Sequence, residues 1–127
     1  MKKHIRATWV SRKETSIFCC SFGGFKGDRQ GLAEEVEASL DVIRQYSPDS
    51  MLVAVDMYHP HFTPELLDFF RVYSNPQNNP IRRMAIIYVS PFQRFWYQRR
   101  KGVVWPRNAR FFDDYEKAKD WLVGEIF

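Results

Sequence analysis

The sequence predicts an α/β fold: a mainly parallel sheet of four to five strands, with an N-terminal antiparallel hairpin and helices on both faces. Three observations lead there. Met51 to Val55 and Met84 to Val89 are short, continuous apolar runs, of the kind a strand carries when helices cover it on both sides. Each run is followed by a hydroxyl and a proline, Thr63-Pro64 and Ser90-Pro91. The hydroxyl caps the first free amides of a helix and the proline suits its first position. Finally, strand-like and helix-like stretches alternate along the chain, which favours a parallel sheet.

Taken in order, Ile5 to Val10 and Ser16 to Phe22 have strand character, and the polar S-R-K-E-T between them is short enough for a hairpin. The glycine-rich G-G-F-K-G-D-R-Q-G, Gly23 to Gly31, reads as a loop. Beyond it Leu32, Val36, Leu40 and Ile43 recur at helical spacing. Ser47-Pro48-Asp49 should stop that helix near Tyr46. Met51 to Val55 is the central strand, ending at Asp56. A loop from Met57 to Phe62 leads to a second helix whose apolar face is Leu66, Phe69, Phe70 and Tyr73. N-P-Q-N-N-P ends it, and Arg82 and Arg83 lead into the second buried run. A third helix should follow Ser90-Pro91, presenting Phe92, Phe95 and Trp96 to the sheet and Tyr97 with the basic residues to solvent. Gly102 is its expected end. Ala109 to Phe112 is a short last strand, Asp113 or Asp114 a cap, and Tyr115, Ala118, Leu122 and Ile126 the inner face of a closing helix.

With 127 residues, 45% hydrophobic and 17% aromatic, the chain has the length for one domain and the apolar content for a well-filled core. A single unit spanning 1–127 is expected. No apolar run is long enough to cross a bilayer, and the first residues lack the hydrophobic segment of a secretory signal, so the expected setting is the cytoplasm. Cys19 and Cys20 are adjacent and lack metal-ligand spacing, which suits buried free thiols. The net charge of +4 conceals a division. Residues 28 to 68 hold nine acids and two bases, whereas residues 81 to 110 hold eight bases and no acid. Such a division can steer a charged partner or orient self-association, and a homodimer is one expectation.

Three stretches together resemble the STAS-like domains, the group that includes the sporulation anti-anti-sigma factor and its small SpoIIAA-like stand-alone relatives. They are M-L-V-A-V-D followed by F-T-P-E-L-L, then I-R-R-M-A-I-I-Y-V-S-P-F, and the ending F-F-D-D-Y-E-K-A-K-D-W-L. The resemblance runs from about Ser16 onward and rests on order and pattern. It implies a non-catalytic α/β module that binds a protein partner and carries no cofactor. In the sigma-regulating members a serine at the start of the helix after the central strand is phosphorylated, and the matching position is Thr63. Phe62 stands where an acid is expected before it, and Pro64 where a small residue is expected after it.

The remaining chemistry gathers at the carboxyl ends of the strands, where open α/β sheets place their sites. There Lys26, Asp28, Asp56, His59, His61 and Arg94 are expected to meet. Asp56 orienting a histidine would suit a general base, and Asp56 with His59 and His61 offers a two-histidine, one-carboxylate metal set. No nucleophile or oxyanion motif is tied to them by spacing, and no further ligand stands nearby in the sequence. The glycine loop matches neither phosphate-binding pattern. The basic, aromatic segment 94–110, with Arg94, Arg99 and Arg100, has the composition of a surface for nucleic acid or for an acidic protein. The expected function is therefore a regulatory binding module without metal or cofactor, its partner surface expected on the second helix beginning at Thr63 and the loop before it, with Asp56, His59 and His61, and the basic third helix with Arg94, Arg99 and Arg100 beside them. A small enzyme or ligand-binding domain at Asp56, His59 and His61 is the alternative, followed by nucleic-acid binding through 94–110.

Overall fold

The computed structural model describes residues 6–124. The first residue of the expected first strand, Ile5, and the last of the closing helix, Ile126, lie outside them. The elements run β1 (Thr8–Arg12), β2 (Thr15–Ser21), α1 (Arg29–Ile43), β3 (Met51–Asp56), α2 (Pro64–Tyr73), β4 (Ile81–Ile87), α3 (Pro91–Lys101), β5 (Ala109–Phe112) and α4 (Tyr115–Val123). The strands form one sheet in the order β1-β2-β3-β4-β5. Only β1 and β2 are antiparallel, and every other pair is parallel.

That sequential order has a consequence. Right-handed crossovers that always advance in one direction put their helices on the same face of the sheet. Accordingly α1 and α2, followed by Tyr97 of α3, pack with the side of the sheet that shows Phe18, Val53, Val55, Met84 and Ile86. The other side, with Ile17, Ala54, Ala85 and Ile87, is covered by Ala118 and Leu122 of α4. Cys19 and Cys20, as neighbours on a strand, point to opposite faces, and both are buried. Burial pushes both thiols above their usual range.

Several boundaries differ from the sequence expectation. The hairpin turn is only Lys13-Glu14, both with positive φ (53° and 62°), so β1 continues through Ser11 and Arg12. Positive φ at both central residues is the two-residue turn that matches strand twist, here made without the usual glycine or asparagine. The helix α1 starts inside the glycine-rich stretch, because the Asp28 carboxylate accepts the Gly31 N–H at 2.9 Å. It ends at Ile43, short of Tyr46. β4 includes Arg82 and Arg83 and stops before Tyr88, whose φ is 74°.

Two polar side chains hold elements together over long sequence separations. Buried Glu35 on α1 accepts backbone N–H groups of Arg6 (3.0 Å) and Ala7 (2.8 Å), which ties down the chain entering β1. Arg83 on β4 donates through Nη1 to the carbonyls of Trp121 (2.8 Å), Leu122 (3.2 Å) and Gly124 (3.3 Å). α4 has no basic residue in its own last turn, so a strand supplies the cation that the negative end of its dipole favours.

Candidate functional site

At the carboxyl edge of the sheet the loop from Met57 to Phe62 is pinned to the loop after β2. Gly24 N–H donates to the His59 carbonyl at 3.1 Å, and Gly23 bridges Pro60. The approach is close enough that a Cβ on Gly23 would lie 2.1 Å from the Tyr58 carbonyl oxygen; only glycine fits there. On the same loop pair, Gly27 N–H donates to His61 Nε2 at 3.2 Å.

These contacts separate the three residues expected to act together. Strand alternation turns Asp56 toward α4, where its carboxylate accepts the Tyr58 N–H at 3.0 Å and lies 3.5 Å from the Tyr115 hydroxyl. Burial, and then the nearby Asp56 charge, hold that tyrosine well above its ordinary range. His61 faces the Gly27 loop, whereas the His59 ring packs on Tyr58 at 4.1 Å. Asp56 therefore orients neither histidine. Among the described residues no group of three His, Cys, Asp or Glu side chains is placed to hold a metal ion.

Thr63 caps α2, its hydroxyl oxygen accepting the Leu66 N–H at 3.3 Å, and the residue is only 4% exposed. Ser90 caps α3 more fully, in a reciprocal arrangement with Gln93: Gln93 N–H donates to the serine hydroxyl, and Ser90 N–H donates to Gln93 Oε1 at 2.9 Å.

His59 and Arg94 do share a neighbourhood. Both line an open cleft of about 950 Å³, together with Tyr58, Tyr88, Ser90 and Phe111. The Arg94 guanidinium sits 4.4 Å from the centre of the Phe111 ring, and Tyr58 meets Tyr88 edge to face at 5.6 Å. His59 and Tyr88 both hold positive φ, 51° and 74°, a conformation bulky residues adopt only under surrounding constraint.

The largest departure from the sequence expectation is α3. It buries none of its residues. Phe92 is 70% exposed, Phe95 59% and Trp96 42%, while Tyr97 is the one that turns inward, meeting Phe62 at 4.7 Å. The expected orientation is thus reversed. The strand that follows α3, β5, is a four-residue edge strand. Trp105 packs on Phe70 (5.2 Å) and Phe111 (5.1 Å) and donates its indole N–H to the Arg94 carbonyl at 3.2 Å.

Phe92, Phe95, Trp96, Arg99 and Arg100 fall at i, i+3, i+4, i+7 and i+8, one stripe of the helix. Phe92 and Trp96 lie nearly parallel at 6.1 Å. Arg99 lies over Phe95 (5.6 Å) and Arg100 over Trp96 (4.9 Å). The basic last turn of Arg99, Arg100 and Lys101 runs with the helix dipole. Residues 99 and 100 were legible as basic surface from the sequence; the exposure of Phe92, Phe95 and Trp96 was not, since apolar residues at that spacing ordinarily face a core.

Comparison with family models, with curated proteins and with solved structures finds no match for this chain.

Proposed function

We propose that this chain is a non-catalytic, STAS-like binding module that holds a protein partner on the outward stripe of α3. The observation that carries this reading is the exposure of Phe92, Phe95 and Trp96 on one helix face. Rigid aromatics flanked by arginine are the residue types that dominate binding energy at protein interfaces. A contiguous apolar stripe rimmed by charge is costly to leave in water without a use. The element order and the hydroxyl-proline caps after β3 and β4 support the STAS-like part. The phosphoswitch of that group is not part of the proposal, because a kinase would have to open the start of α2 to reach Thr63. The separation of Asp56 from both histidines supports a non-catalytic role. The module works in the cytoplasm, where its two free buried thiols stay reduced.

The test is a photo-crosslinking amino acid placed at Phe95, with an exposed position on α4, Lys117, as control. A discrete crosslinked protein at 95, absent at 117 and weakened by Phe92→Ala, is the expected result. Equal products at both positions, or none at 95, would remove α3 from the proposal.

The cleft beside α3 favours a second reading, a site for a small aromatic anion, since it joins His59 and Arg94 to the rings of Tyr58, Tyr88 and Phe111. Nucleoside monophosphates would then raise the melting temperature of the wild type and not of Arg94→Ala. An equal response of both would exclude the cleft.

A further inference from the structure

The molecule has a second unpartnered surface, on the opposite charge. Between α1 and α2 runs an open groove of about 500 Å³, lined by Leu40 and Val72 with Tyr46 at its end. Val72 is 52% exposed and Tyr46 42%. Its rim is acidic, with Glu37, Glu65 and Asp68. Arg44 offsets part of that charge through Glu37 (3.7 Å) and Asp41 (3.0 Å), and Arg71 pairs with Asp68. Glu65 has no ion partner among the described residues.

We propose that the α1/α2 groove of one copy receives the α3 stripe of a second copy. The proposal rests on the reading of α3 as a docking face and names its occupant. Two features support it. An amphipathic helix enters an apolar groove through anchors at i, i+3, i+4 and i+7, which on α3 are Phe92, Phe95, Trp96 and Arg99. The charges also match: α3 carries Arg94, Arg99, Arg100 and Lys101 and no acid, and the groove presents Glu37, Glu65 and Asp68 against the single base Arg44. Pairing α3 with α3 in parallel would bring Arg99, Arg100 and Lys101 against their own copies, a like-charge contact that disfavours that arrangement. The association either closes reciprocally, each copy's α3 in the other's groove, or runs head to tail into a chain or ring.

Sedimentation velocity across a wide concentration range tests this, at low salt and at about 1 M salt, where the Debye length is about 3 Å. The average mass is expected to rise with concentration at low salt and to fall back at high salt. Two surface variants are needed, Phe95→Glu with Arg99→Glu on the helix, and Glu65→Lys with Asp68→Lys on the groove. Each alone should associate at least about tenfold more weakly. Mixed together they should form a one-to-one complex, because the first keeps an intact groove and the second an intact helix. Circular dichroism on each variant checks that the fold persists.

A groove variant that self-associates like the wild type would overturn the proposal in favour of another interface. A wild type that stays monomeric throughout overturns it too. If that monomer still crosslinks a defined protein from position 95, the docking face stands and only the second copy is lost. Co-flotation of the monomer with phosphatidylserine vesicles, or retention on single-stranded DNA, abolished by Phe95→Glu with Arg99→Glu, would also overturn it and give the stripe to a membrane surface or to nucleic acid.

Discussion

α2 and α3 begin alike and end in opposite situations. Each follows a buried parallel strand, each is opened by a hydroxyl cap with proline at the first position, and each carries aromatics at helical spacing. Yet α2 buries Leu66, Phe69, Phe70 and Tyr73, while α3 buries nothing. The cap sets where a helix starts, and the ground beneath it sets which face is hidden. α2 leaves the middle strand of the sheet and meets α1 and Phe22, whose ring lies 5.0 Å from Phe69. α3 is followed by an edge strand of four residues, whose Phe111 meets Trp105 at 5.1 Å.

The contrast can be pressed by substitution, read as the free energy of unfolding in urea. Phe69→Ala should have the largest effect, a loss of about 3–5 kcal/mol, because the ring is fully buried and its neighbours cannot collapse into the space. A loss comparable to that of a surface change would mean that α2 is not seated as described. Trp105→Ala comes next, at about 2–3 kcal/mol, since the indole is half-buried between Phe70 and Phe111. It should also move α3, visible as altered amide chemical shifts from Ser90 to Lys101. Unchanged shifts there would show that Trp105 is not what keeps the helix off the sheet.

The two caps are expected to differ by less. Thr63→Ala should cost about 1–2 kcal/mol, because the Leu66 amide it satisfies is buried. Ser90→Ala should cost about 0.5–1 kcal/mol, because water can replace the hydroxyl at an exposed helix start. Reversal of that order would separate cap strength from burial. Phe95→Ala is the smallest, within about 0.5 kcal/mol of wild type. A much larger loss would place Phe95 in a core and withdraw α3 as a docking face.

The hydrophobic pattern carried the α/β class, the nine-element order, the inner face of α2 and the burial of Ala118 and Leu122 on α4, since continuous apolar runs and helical spacing are local signals. The element ends were less legible. Asp28 gave no sign that it would cap a helix within a glycine loop, nor Lys13-Glu14 that it would form a tight turn without glycine. Nothing in the sequence sets Glu35 or Arg83 apart from the other charged residues. Their roles depend on backbone groups 28 and 38 residues away along the chain.

The candidate site was legible as a list of residue types and not as an arrangement. The loops of Gly27 and His61 do meet, and His59 does share a cleft with Arg94. Asp56 was separable from the histidines only once the sheet register turned it toward Tyr115.

What this sequence determines by itself is what neighbouring residues can settle among themselves: strand runs, helix spacing, hydroxyl-proline starts and the division into acidic and basic segments. Tertiary structure alone decided which aromatic rings would be hidden. Phe69 and Phe95 sit on helices of the same local design, and burial is a property of what lies opposite a residue. For Phe69 that is Phe22 and the centre of the sheet; for Phe95 it is water.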